Sequence, residues 1–109
     1  MTSAETSVTL RFKERLRAAL GERLLRVLVF GSRARGVARE DSDLDVAVFV
    51  DHADPLTRRA IAHLAADQMM AEEKPWTINP LVLDPARLQH LRDRERLLAT
   101  ELERDGVEV

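Results

Sequence analysis

The chain has no cysteine and no tyrosine, one tryptophan, three phenylalanines, four glycines and four prolines. Without cysteine there is neither a disulfide framework nor thiolate chemistry, which suits a reducing cytoplasm, the expected location. No apolar stretch approaches the roughly 20 residues a membrane span requires, so no membrane contact is expected. Met1 to Ser7 is polar and lacks a secretory apolar segment. An excess of one charge is also missing. The formal net charge is −2, which gives no overall pull toward nucleic acid or an anionic bilayer, so no direct nucleic-acid binding is expected. Three scattered histidines, His52, His63 and His90, lack the spacing of a zinc site. What is present, 109 residues of which 45% are hydrophobic and 33% charged, fits one domain over residues 1–109 with one core.

The apolar pattern divides the chain into alternating elements. Val8, Phe12, Leu16, Ala19 and Leu20 recur at helical spacing before Gly21, which predicts a first helix. Arg26 to Phe30 is a short β-prone run ended by Gly31. Leu44 to Val50 is a second strand, apolar on both faces beyond Asp45 and therefore expected to be covered on both sides. Asp54-Pro55 opens a helix with Leu56, Ala60, Ile61, Leu64, Ala65 and Gln68 facing inward, ending at Lys74-Pro75. Thr77 to Leu83 is a third strand. Pro80 lacks the N–H of a central ladder, so this strand lies at an edge or is bulged. Asp84-Pro85 starts a last helix with Leu88, Leu91, Leu98 and Leu102 on its stripe, Glu95 at the stripe's edge and Gly106 as its stop. The expected fold is α/β (α+β): a small mixed sheet of about three strands with flanking helices, in the order α-β-α-β-α-β-α.

Residues 31–45, Gly-Ser-Arg-Ala-Arg-Gly-Val-Ala-Arg-Glu-Asp-Ser-Asp-Leu-Asp, hold most of the chemical information. A glycine directly after a buried strand permits a sharp turn and lets a bulky anion approach the backbone. A helix starting at Ser32 would add free N–H groups and a hydroxyl, and Arg33 and Arg35 are placed to meet phosphate oxygens. Asp43 and Asp45, two apart in an extended segment, project the same way. Paired hard oxygen ligands suit Mg²⁺, which shares its shell with water and substrate phosphates. Each half alone is a weak signal and reads more readily as an ordinary turn or a hydrated strand start. Together they are informative. If the two strands are antiparallel neighbours, the end of the first faces the start of the second, and cradle and acids meet on one triphosphate.

Gly31-Ser32, ten residues, then Asp43-x-Asp45 resembles the signature of the DNA polymerase beta superfamily of nucleotidyltransferases. The short Gly-Ser-Arg-Ala-Arg-Gly form with Ser42-Asp43-Leu44-Asp45 resembles the minimal nucleotidyltransferases, small prokaryotic proteins often encoded as antitoxins beside a helical HEPN-type toxin. The ending Leu102-Glu103-Arg104-Asp105-Gly106-Val107 is similar to that group as well. The resemblance implies a single minimal nucleotidyltransferase domain in which Asp43 and Asp45 are catalytic and hold Mg²⁺. It further implies that Gly31, Ser32, Arg33, Arg35 and Ser42 surround ATP, and that AMP passes to a hydroxyl of the partner toxin, commonly a tyrosine. With no tyrosine in this chain, tyrosine self-modification is excluded.

One position departs from the pattern. Where a third carboxylate is expected near the start of the third strand, this chain has Asn79. An amide can ligate a metal through oxygen but is no general base near neutral pH. Asp84 lies roughly 16 Å further along an extended strand, too far to replace it. Glu72 and Glu73 precede the strand. Two functions therefore compete: a Mg²⁺-dependent protein adenylyltransferase, and a catalytically impaired module of the same fold that neutralises its partner by contact. A transferase acting on a small molecule ranks third, because the chain offers no evident second domain for such a substrate. Oligomeric state and base preference are left open by the sequence.

Overall fold

The computed structural model describes residues 1–39, 41–94 and 96–109; the side chains of residues 88, 91–94 and 96–99 are not described. Helix α1 (Ser3–Leu20) begins at a capping box in which Thr2 and Glu5 satisfy each other's backbone N–H. It ends at Gly21, whose positive φ of 58° suits glycine. A 3-10 turn (Gly21–Arg23) leads to β1 (Leu24–Phe30) and the short α2 (Gly31–Arg35). Then come β2 (Leu44–Val50), α3 (Pro55–Ala71), β3 (Ile78–Leu83), α4 (Pro85–Arg94), α5 (Arg96–Asp105) and the two-residue β4 (Val107–Glu108).

The sheet order is β3-β2-β1-β4. β1 pairs antiparallel with β2 and β4, and β2 pairs parallel with β3. The β2–β3 pair is parallel because α3 carries the chain back across the sheet. The sheet is thus mixed, as expected, and β3 with its Pro80 is an edge strand. Arg58 reaches the Val82 carbonyl at 3.3 Å, and the Met69 sulfur accepts from the Ile78 N–H, so side chains cover part of this strand's backbone. A fourth strand, β4, was not expected.

One face of the sheet carries the main core. Val8, Phe12 and Leu16 of α1 and Ile61 and Ala65 of α3 pack on Val27, Val29, Val46 and Val48. Each large apolar side chain buried in this way contributes about 1.5–3 kcal/mol. The opposite face holds a smaller cluster of Leu28, Phe30, Ala47, Phe49 and Leu83 under Leu102 of α5.

Three inward positions expected from periodicity face solvent instead: Ala19, Leu56 and Ala60. Leu56 stands in the first turn of α3, where Thr57 is turned inward instead, bonded by the Arg23 guanidinium. Helix α3 also stops at Ala71, short of Lys74-Pro75, with Glu72 already extended and held by Arg11 and Gln68. Of the last expected stripe, Leu102 is buried, while the side chains of Leu88, Leu91, Leu98 and Glu95 lie outside the described residues. No described helix is long and apolar enough to cross a membrane.

Candidate active site

The site forms where β1 ends and β2 begins. The β1–β2 register sets Phe30 opposite Asp45, and the β2–β3 register sets Asp45 opposite Asn79. Gly31, the residue after Phe30, has φ of +74°. A Cβ added there would overlap Asp45 Oδ2 and lie 3.4 Å from the carboxyl carbon. Glycine is therefore needed twice, for the backbone conformation and for the space that the Asp45 carboxylate occupies. No side chain caps the start of α2, which leaves its first-turn N–H groups available to an anion.

Asp45 is half-buried and Asp43 exposed. Asn79 Nδ2 donates to Asp45 Oδ1 at 3.1 Å. Burial raises the Asp45 pKa above its ordinary value; the Asn79 hydrogen bond opposes this, the charges of Asp43 and Glu101 add to it, and Arg35 opposes it. A carboxylate desolvated beside like charge is short of a cation. Asp43 and Asp45, with the amide of Asn79 alongside, supply the hard oxygens a divalent ion takes when substrate phosphates and water complete its shell. Among the described residues no group of three or more acidic, histidine or cysteine side chains is arranged to hold a metal ion. His52, His63 and His90 are exposed.

One arginine is placed otherwise than expected. Arg33, expected at a phosphate, is buried. Its Nε and Nη2 donate to the Ser42 carbonyl at 3.0 and 2.7 Å, and its Nη1 donates to Glu5 Oε2 at 3.0 Å. Its guanidinium lies 4.7 Å from the Trp76 ring centroid. An arginine shared among a carboxylate, a carbonyl and an indole face is poorly placed to meet a ligand. Arg35 is more open and pairs with Glu101 at 2.8 Å. The Ser42 hydroxyl accepts from the Arg39 N–H at 2.9 Å. Glu72, a conceivable third acid, is committed to Arg11 at 2.6 Å and so is not drawn to Asp45.

Glu101 carries no signal in the sequence. It lies 56 positions beyond Asp45, and no local pattern signals that α5 will bring it to the Arg35 side of the site. Its neighbour Leu102 explains the placement: Leu102 is buried against the β1–β2 face, and β4 ties the chain just after α5 to Leu28 and Val29.

A glycine turn after β1 faces Asp45 on β2, with Asp43 just before that strand, on a nucleotidyltransferase-like fold. The sequence profile described as a nucleotidyltransferase domain matches residues 11–103, and the chain belongs to that family. A search of curated proteins finds no significant match. Among solved structures, a toxin–antitoxin crystallised with AMP-PNP is similar at 22% identity and a TM-score of 0.58, over 90% of this chain and 69% of that one. A mutant of the toxin–antitoxin MntA-HpeT is similar at 20% identity and a TM-score of 0.62, over 91% and 69%. A protein assigned as a minimal nucleotidyltransferase is similar at 25% identity and a TM-score of 0.61, over 96% and 95%. These likenesses show the fold.

Proposed function

We propose that residues 1–109 form a single minimal nucleotidyltransferase domain that transfers AMP from ATP to a hydroxyl of a partner protein in the cytoplasm. The partner is a helical HEPN-type toxin, and this chain is its antitoxin. The observation that carries the reading is the fit of Gly31 against the Asp45 carboxylate, which joins the two halves of the motif in one site.

In this reading the Gly31-Ser32 turn receives the β- and γ-phosphates through backbone N–H groups, with the Ser32 and Ser42 hydroxyls and Arg35 beside them. Asp43 and Asp45 are the catalytic acids and hold Mg²⁺. A divalent ion held by these carboxylates would supply charge to offset the triphosphate and to acidify the attacking hydroxyl. The hydroxyl oxygen forms a bond to the α-phosphorus, the bond to the β-phosphate oxygen breaks, and pyrophosphate leaves. Asn79 cannot take the hydroxyl proton, so it departs to water. Asn79 instead orients Asp45 through its amide N–H.

A second reading has one observation in its favour, the same Asn79: a neutral amide replaces a base, and the fold then serves as a nucleotide-binding module that inhibits by contact. Mass spectrometry of the co-purified partner after incubation with ATP and Mg²⁺ separates the two. One added adenylyl group, absent with Asp43→Asn, supports transfer; an unmodified but inhibited partner supports the module.

A further inference from the structure

We infer that Arg33 is a positioning residue that sets the distance between the phosphate turn and the metal-binding acids. The inference rests on the reading of this site as one for a metal-bound triphosphate. Arg33 follows Ser32 directly in α2, and Ser42 directly precedes Asp43. Two N–H groups of one planar guanidinium, Nε at 3.0 Å and Nη2 at 2.7 Å, hold the Ser42 carbonyl. A single side chain thus ties the backbone beside the cradle to the backbone beside the first acid, across the loop between them.

Among the described residues, Glu5 and Trp76 also hold the clamp. Glu5 uses Oε1 to complete the α1 capping box and Oε2 to hold Arg33 Nη1 at 3.0 Å. Trp76 supports the guanidinium face, its centroid 4.7 Å away. The arginine side chain is 9% exposed and the glutamate 6%, so solvent does little to loosen the pair. The adjoining open cavity, lined by Arg39, Ser42, Lys74, Trp76 and Thr77 among others, borders this clamp. The α2 helix is only five residues long, too short to hold its own geometry, which gives such an anchor its purpose. Asp43 is exposed and stands before β2, outside the β1–β2 ladder; on one side the Leu44 N–H is held by the Thr77 carbonyl at 2.8 Å, and on the other the Ser42 carbonyl is held by Arg33.

Arg33→Lys tests this, because lysine keeps the charge beside Glu5 but cannot span the carbonyl with a planar fork. Mn²⁺ affinity without nucleotide, ATP affinity in EDTA and backbone amide spectra are measured on the full chain, with Glu5→Gln as comparison. We expect Arg33→Lys to bind ATP in EDTA as the wild type does, to bind Mn²⁺ about 10–100-fold more weakly, and to shift the amides of Ser42 and Asp43 while the sheet amides stay in place. Glu5→Gln retains the Ser42 clamp and stays near wild type in Mn²⁺ affinity. Loss of ATP binding in EDTA with Mn²⁺ affinity intact makes Arg33 a phosphate contact and overturns the inference. Unchanged Mn²⁺ affinity with unchanged Ser42 and Asp43 amides overturns it too. Should Arg33→Lys not fold, the wild type decides: the Arg33 Nε–H must be protected from solvent exchange and must shift when Mg²⁺ binds, and a freely exchanging, unresponsive Nε–H contradicts the clamp. A wild type that binds no ATP defeats the nucleotide reading alone, since the metal and amide measurements still decide Arg33.

Discussion

Gly31 and Asp45 occupy one space: the missing side chain of the first is where the carboxylate of the second sits. The contact ties the backbone at the start of α2 to a chemical group of β2, and it constrains both residues together.

Gly31→Ala brings two penalties, a left-handed backbone angle and a collision with Asp45 Oδ2. The backbone term alone costs about 1–2 kcal/mol. We expect a lower urea midpoint and loss of divalent-ion binding, because Asp45 must move. An alanine variant with wild-type stability and metal affinity contradicts the assignment of this contact.

Burial, and after it the charges of Asp43 and Glu101, disfavour the ionised form of Asp45 and raise its pKa. A carboxyl with a raised folded-state pKa favours folding in its protonated form, so its contribution improves as pH falls through that pKa and is unfavourable at neutral pH. Asp45→Asn should therefore raise the melting temperature of the metal-free protein at pH 7 while removing divalent-ion binding. Asn79→Asp should do the reverse: lower metal-free stability by adding a charge directly across from Asp45, and strengthen the dependence on Mg²⁺. Thermal melts with and without Mg²⁺ check both.

Glu5 titrates in the opposite sense. Burial works to raise its pKa, but the Thr2 backbone N–H, the Arg33 hydrogen bond and the Thr2 hydroxyl outweigh it, with the Arg33 charge adding to them, and leave it below the ordinary value. Its contribution to stability is present above the unfolded-state pKa near 4.5 and is lost as pH falls through the lower folded-state value. Glu5→Gln should narrow the stability difference between pH 6 and pH 3. Arg33→Ala, which leaves a buried carboxylate unpaired, should cost about 3–5 kcal/mol at neutral pH. Denaturant titrations across pH measure both.

Elements carried by short-range signals were legible in the sequence. Leu44–Val50 was readable from its apolar run, and Asp54 and Asp84 from the helix-start pattern; they cap the Thr57 and Arg87 N–H groups at 2.7 and 2.8 Å. Pro80 marked the edge strand. β4 was not legible, because a two-residue strand exists only through its pairing with Leu28 and Val29. The site was half legible. Gly31, Asp45 and Asn79 meet because the strand registers follow from the apolar runs. The fates of Arg33 and Arg35 were not, since their partners Glu5 and Glu101 lie 28 and 66 positions away and no local pattern distinguishes an arginine that binds phosphate from one that anchors its own helix.

Calorimetry of ATP with the purified chain, with and without Mg²⁺, probes the shared site most directly. We expect binding that Mg²⁺ tightens in the wild type and that Mg²⁺ no longer affects in the Asp43→Asn, Asp45→Asn double variant. No heat of binding in either condition, or the same Mg²⁺ effect in the double variant, contradicts the shared site.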